Sequence, residues 1–373
     1  MGPSPDLFPL LPGCVPDCPG CPHRQWRMED SLAQKTAFLA RVLEPWHSVL
    51  KMVESLPDAR RWAYRRQAVL HARWEGHWLY GLLHREALIP IPDCPVHHPS
   101  LNENVRALTR ELPSFQAFPM VNIVVSGAQY SLVIKSNALP PTDWMHEELA
   151  AVLQQKGMEA CWLHLHPAAG KRIFGKGGWH LLFGNAATED EKGLLYGPTS
   201  FQQLLPDLYV RSLDRASAFL LPTAFSAVVD LYCGNGASMQ RWAEKGARVM
   251  GVEWSGEAVG FAAQNVPEAE VLRGLCRERI PQLNEWVSLQ KREKKHLLLY
   301  VNPPRTGLEE QVLSWIVGEA LPERIVYLSC SAGSLRRDLD LLVAGGYRVK
   351  EIQPYDFFPQ TRHVECLVSL ERA

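Results

Sequence analysis

The chain has no excess of positive charge: 39 Lys and Arg face 40 Asp and Glu, a formal net charge of -1. That excludes the global basic field of many nucleic-acid binders, so a polyanion would have to be met by local patches. No apolar run reaches the roughly 20 residues of a membrane-spanning helix. The opening MGPSPDLFPLLPG has no basic segment before an apolar stretch and does not read as a signal peptide. No internal repeat is visible. Nine cysteines, an odd number without a secretion signal, do not suggest a disulfide framework. These absences set the expectation of a cytoplasmic, reducing location, with no membrane and no evident obligate protein partner. Grouped cysteines in that setting more often bind metal.

At 373 residues and 46% hydrophobic, the chain can build two or three domains with real cores. Residues 28–56 carry helical periodicity, interrupted at Pro45. From about 64 to 185 the pattern is short and alternating. AVLHARWEGHWLYGLLH predicts a hairpin turning at Glu75-Gly76, and VNIVVSGAQYSLVIKS another at Ser126-Gly127. One helix is expected over 146–156, so this middle part reads as antiparallel and β-rich. After Gly197, AVVD, ARVMGVE, LLLYVN, RIVYLSC and YRVKEIQ are strand candidates. Helical stretches near 237–245, 308–320 and 333–343 lie between them, which predicts a mostly parallel, doubly wound α/β sheet. Residues 363–371 add a last strand at or near its edge. The division falls at 1–195 and 196–373.

A strand ends at Asp230, and the glycine turn with Gly234 and Gly236 leads into a helix. Such a turn lets backbone N–H groups approach a ligand. Glu253 ends the next strand, placed to bind ribose hydroxyls. The arrangement suits NAD or S-adenosylmethionine, or a turn with no ligand. Met239 stands where a dinucleotide fingerprint has its third glycine, which weakens the nicotinamide reading. Cys330 closes RIVYLSC, at the strand end where open α/β sheets bind ligands. The helix starting near Ala332 would lower its thiol pKa. Glu365 sits in the apolar run VECLVSL, where a carboxylate is costly unless paired or functional. The alternative is an exposed edge-strand glutamate. Asn302 precedes a double proline that would present its side chain rigidly.

Cys14, Cys18 and Cys21 follow a C-x3-C-x2-C spacing, with Cys94 far downstream. Four thiolates can hold zinc or a [4Fe–4S] cluster, and the three-plus-one pattern with Cys-Pro steps points to iron–sulfur. His23, His97 and His98 are nearby and expected on the surface. Local basic patches could be Arg60, Arg61, Arg65 and Arg66, or Lys171, Arg172 and Lys176. The run Lys291, Arg292, Lys294 and Lys295 reads as a solvated face.

CVPDCPGCPHRQW, YRRQA, GLLHRE before PDC, GPTSFQQ, DLYCGNG, NPPRTG, LSCSAGSLRRD and DFFPQTRHVE occur in one order. In this the chain resembles the RNA uracil-5 methyltransferase family, most closely its iron–sulfur-containing 23S ribosomal RNA members. The resemblance implies a Rossmann-like S-adenosylmethionine-dependent catalytic domain, with an antiparallel β-rich iron–sulfur and RNA-binding part before it. It implies that the helix near 28–56 packs on the catalytic domain. It implies Cys330 as nucleophile and Glu365 as proton-abstracting base. Gln203, Gly234 and Glu253 are implied to contact S-adenosylmethionine, beside Asp230 and Gly236 of the loop, with Asn302 near the target base. Cys14, Cys18, Cys21 and Cys94 are implied to ligate a [4Fe–4S] cluster. The implied partner is RNA, 23S ribosomal RNA first. A transfer RNA enzyme and a catalytically weakened RNA-binding relative are the alternatives. The latter is raised by four departures from the family pattern, at Asn302, Ser331, Leu205 and Cys276.

Overall fold

The computed structural model describes residues 7–169 and 172–373. Residues 1–6, Gly170 and Lys171 lie outside them. The chain forms two compact units. One holds residues up to Arg27, Pro57–Asp190 and Tyr196–Leu204; the other holds Met28–Leu56, Glu191–Leu195 and Leu205–Ala373.

The first unit is built on a seven-stranded sheet. Gln67–Trp74 and Trp78–His84 form a hairpin closed by the pair Trp74↔Trp78. Met120–Ser126 and Gln129–Ile134 form a second, closed by Ser126↔Gln129. Both turn where the small residues Gly76 and Gly127 were expected to turn them. The strands pair antiparallel except Gln129–Ile134 with Ala160–Leu165, which are parallel. A parallel neighbour needs a crossover, and the helix Glu147–Gln155 supplies it.

A further helix, Pro99–Glu111, was not foreseen in the alternating region. Its signals are local. His98 Nδ1 accepts from Ser100 N at 3.3 Å, and Pro99 occupies the first helical position. Leu101, Val105 and Leu108 fall on one face, and all are buried.

The second unit is a seven-stranded mixed sheet. In spatial order its strands are Glu270–Arg273, Arg248–Glu253, Ser226–Leu231, His296–Val301, Arg324–Ser329, Glu365–Arg372 and Tyr347–Tyr355. The first five are parallel. The last two form an antiparallel hairpin, and Glu365–Arg372 inserts beside Arg324–Ser329. The chain's last strand therefore lies one place in from the edge. Central strands such as Ser226–Leu231 are buried throughout, because helices cover both faces of a parallel sheet.

The expected helices appear as Ala237–Ala243, Glu310–Trp315 extended by a wider turn to Ala320, and Ala332–Ala344. Pro206–Leu220, Gly256–Asn265 and Cys276–Arg292 complete the layers. Met28–Val42 joins this unit's core through Leu39, which is fully buried, and Leu43 follows it there. Pro45 ends the regular helix as expected, and a tighter turn runs over Glu44–Val49.

Met239 explains how a helix without the third glycine still packs. Its side chain is buried, and a Cβ at Gly251 on the neighbouring strand would lie 2.5 Å from its Sδ. The small residue has moved from helix to strand, so the layers still approach closely.

Candidate active site and candidate metal centre

The parallel strands of the second unit all end at one edge of the sheet, and the singled-out residues follow them there. Tyr232–Gly236 leave Ser226–Leu231. Glu253 ends its strand, Asn302 follows Val301, and Cys330 follows Ser329. Asn302 N donates to Leu231 O at 3.2 Å, which ties the NPPRTG loop to the glycine loop.

The glycine loop is shaped by its own backbone needs. Gly234 has φ +57, and a Cβ there would meet nothing within 4 Å, so the loop's surface is open above it. Glu253 holds the loop: Oε2 accepts from Gly234 N at 3.1 Å and Oε1 from Ser255 N at 2.7 Å. Asp230 is fully buried, and its Oδ2 accepts from Trp242 Nε1 at 2.8 Å. Burial pushes its carboxyl up to about 7. The structure thus makes Asp230 a support beneath the loop, not a surface a cofactor could touch. The open cradle of Gly234 and the acidic strand end at Glu253 fit an adenosyl cofactor.

Cys330 and Glu365 are brought together by strand register. Arg324–Ser329 pairs antiparallel with Glu365–Arg372, with Ser329 opposite Cys366. One step further along this register puts Cys330 beside Glu365. Glu365 is 4% exposed, and Cys330 is half-buried. Burial raises the Glu365 carboxyl to about 7, against a lowering pull from Arg305. The Cys330 thiol is also raised, first by burial and then by Glu365, with Arg305 again opposing. This corrects the expectation that the following helix would lower it: burial and a facing carboxylate outweigh the helix N-terminus. Arg305 was missed in the sequence, because its relation to both groups exists only in the fold.

Two motifs prove to be one construction. After Cys330, Ser334 Oγ donates to Arg305 O at 2.9 Å. Arg337 donates to Thr306 O at 3.0 Å and Leu308 O at 3.1 Å. Buried Asp338 accepts from Leu308 N at 2.8 Å and Tyr327 OH at 2.7 Å. LSCSAGSLRRD therefore braces the loop that carries Asn302 and Arg305.

Three of the departures have structural roles. Ser331 caps the helix Ala332–Ala344, accepting from Ser334 N at 3.5 Å. Leu205 is buried at the start of Pro206–Leu220, and Cys276 lies in the core. Gln203 is half-buried and belongs to the first unit.

In the first unit, Cys14, Cys18, Cys21 and Cys94 line one crevice with Arg24 and Trp62. Gly13 allows it. At φ +81, a Cβ there would lie 2.1 Å from Asp93 O, so only glycine lets the two cysteine segments meet. Arg24 NH1 donates to Cys18 O at 2.8 Å and Cys21 O at 3.2 Å, pinning the first loop. Asn102 Nδ2 donates to Cys94 O at 3.0 Å. Burial, then the charge of Cys94, pushes the Cys21 thiol up to about 12; burial also raises Cys14 and Cys94. His23 and His97 are buried, contrary to expectation. His23 stacks on Trp26, and His97 shares a 3.0 Å hydrogen bond with Asn102. Arg61, expected in a basic patch, is likewise buried.

Among the described residues, no three His, Cys, Asp or Glu are placed to hold one metal ion. The crevice is about 20 Å³, so a bound group would spread the thiols apart rather than fill a ready-made hole. The donor chemistry fits a thiolate-ligated cluster: four thiols and a neighbouring Arg that would offset their charge.

Five parallel strands with an inserted antiparallel hairpin, and a glycine cradle and acidic strand end at the carboxyl edge, make up an S-adenosylmethionine-dependent methyltransferase fold. Residues 199–373 match the family described as tRNA (Uracil-5-)-methyltransferase. The chain is 28% identical over 373 residues to an uncharacterized RNA methyltransferase of Protochlamydia amoebophila, covering 95% of this chain and 81% of that protein. It is 28% identical over 375 residues to a 23S rRNA (uracil(1939)-C(5))-methyltransferase of Hahella chejuensis, covering 95% and 82%. The crystal structure of Pyrococcus abyssi tRNA (uracil-54, C5)-methyltransferase with S-adenosyl-L-homocysteine superposes with a TM-score of 0.69. It is 21% identical, over 95% of this chain and 86% of that one, which speaks for the fold. By these comparisons the chain is similar to RNA uracil-5 methyltransferases, and the family match falls on residues 199–373.

Proposed function

We propose that this chain methylates C5 of a uracil in RNA, with 23S ribosomal RNA as the substrate, by covalent catalysis through Cys330 and Glu365. The observation that carries the reading is the register that sets Cys330 beside Glu365 at the sheet's carboxyl edge. Uracil C5 is too electron-poor to accept a methyl cation unaided. The Cys330 sulfur adds to C6, and the displaced electron pair makes C5 nucleophilic as part of an enolate. S-adenosylmethionine, which Gly234, Gly236 and Glu253 would hold, would supply the electrophilic methyl group and leave as S-adenosylhomocysteine. Glu365 then takes the C5 proton. The C5–C6 double bond re-forms, and the C6–S bond breaks to release Cys330. A carboxyl near 7 suits a base working near neutrality. Asn302, half-buried beside the glycine loop, would hydrogen-bond the base edge.

The relative from Hahella chejuensis favours ribosomal RNA. The matching family is described by transfer RNA, which keeps that substrate as the second reading. In the first unit Arg66, His98 and Lys156, the last paired with Glu103 at 2.8 Å, line an open cavity of about 520 Å³, where Arg66 would meet an RNA phosphate. In their own crevice Cys14, Cys18, Cys21 and Cys94 would hold a [4Fe–4S] cluster, as a structural tie between two distant chain segments.

The test is a trap. RNA carrying 5-fluorouridine should form a stable covalent adduct with the native enzyme, because fluorine cannot leave as a cation. Cys330→Ala should form none while binding S-adenosylmethionine normally. An adduct with Cys330→Ala would assign the nucleophile elsewhere.

A further inference from the structure

We propose that Lys35 is a positioning residue for Glu365; the inference rests on the reading of Glu365 as the base. Lys35 stands on the helix Met28–Val42, outside the residues 199–373 that match the family. Its side chain and that of Asp356 are both 0% exposed, and they form an ion pair. A lysine wholly out of water is rare and costly, and a packed apolar pair serves stability as well or better.

The partners show what the pair holds. Lys35 Nζ also donates to Phe358 O at 3.2 Å. Asp356 Oδ2 accepts from Ser55 Oγ at 3.2 Å, and Asp356 N donates to Glu54 O at 2.8 Å. Glu54 N in turn donates to Pro354 O at 2.9 Å. Tyr355 is the strand partner of Glu365. Residues 356–364 are therefore a closed excursion that leaves the sheet at Tyr355 and returns at Glu365. Lys35 grips the first and third residues of that excursion, Asp356 and Phe358. Within it Gln360 is buried at φ +66, a backbone state that a residue with a side chain holds only when its surroundings enforce it. Thr361 closes the return, with its Oγ1 accepting from His363 N at 3.1 Å. Fixing the entry fixes where the base re-enters the sheet.

The role is separable from stability. Native enzyme, Asp356→Asn and the double variant Lys35→Met/Asp356→Leu would be compared on RNA prepared without modification, ribosomal and transfer together. The double variant replaces the charged pair by an apolar one and is expected to melt near the native temperature. It should bind S-adenosylmethionine as native and trap 5-fluorouridine RNA as native. Its multiple turnover should fall about 100-fold, the cost of misplacing a catalytic group by about an ångström. A methylated covalent RNA complex should then accumulate on denaturing gels, since elimination is the step that needs Glu365. Asp356→Asn, being isosteric, should slow the same step less. Native turnover in either variant would overturn the proposal. So would slow turnover with no covalent complex, which would place the defect before elimination. If the native enzyme itself trapped no 5-fluorouridine RNA, the Cys330–Glu365 reading would fail first, whatever the variants did.

Discussion

Glu365 carries two consequences of its burial. The first is kinetic. Its carboxyl is raised to about 7, so the ionised base grows as pH rises through 7. The Cys330 thiol is raised as well, so the thiolate grows in the same direction. kcat/KM should climb about tenfold or more between pH 6 and 8. A flat profile in a rapid-quench assay would remove Glu365 from the rate-limiting chemistry. The second is thermodynamic. A carboxyl whose folded pKa exceeds its unfolded value stabilises the fold less as pH rises from about 4.5 to about 7. Glu365→Gln should therefore stall turnover yet gain stability over native above pH 7, by about 3 kcal/mol or less. Urea unfolding at pH 5 and pH 8 should show the gap opening at the higher pH. The position of Cys330 after a strand was legible, because RIVYLSC is an apolar run ending in small polar residues. Its neighbour was not. Nothing local links positions 330 and 365 until an antiparallel register joins them, and Arg305 and Lys35 are invisible for the same reason.

At the scale of elements, alternation and glycine turns made both hairpins readable. The helix Pro99–Glu111 was lost because its apolar residues sit in a polar, short-period stretch, and its cap is a histidine. Cys94 precedes that helix, so the fourth thiol depends on an element the pattern hides. Gly13 is the sharper dependence. With its φ at +81 and Asp93 O where a Cβ would be, Gly13→Ala must push the two cysteine segments apart. Native protein purified without oxygen should be brown and carry about four irons per chain. Gly13→Ala should carry few, by iron assay and by the visible absorption band. Stoichiometric zinc in a colourless native protein would contradict the cluster reading.

At the scale of the whole molecule, the chain crosses between units more than once. Met28–Leu56 belongs to the second unit, although the rest of that unit begins near residue 191. A fragment of residues 196–373 lacks Leu39 and Leu43 from its core and loses the buried ion pair of Lys35 with Asp356. It should unfold non-cooperatively or aggregate. Supplying 28–56, fused ahead of residue 196, should restore a sharp melting transition, which calorimetry can read. A fragment that melted sharply without it would show the segment to be dispensable for folding.

The same pair sets a waiting time during synthesis. Lys35 and Asp356 are 321 residues apart in sequence. At about 5–20 residues per second, the helix Met28–Val42 leaves the ribosome roughly 15–60 s before its partner strands exist. Through that interval Phe38, Leu39 and Val42 have only part of their sheet to cover, while Cys14, Cys18, Cys21 and Cys94 have all been made. The nascent chain thus has all four grouped cysteines made first and carries an adhesive, half-made second unit behind them. Chaperones should meet this chain at that helix.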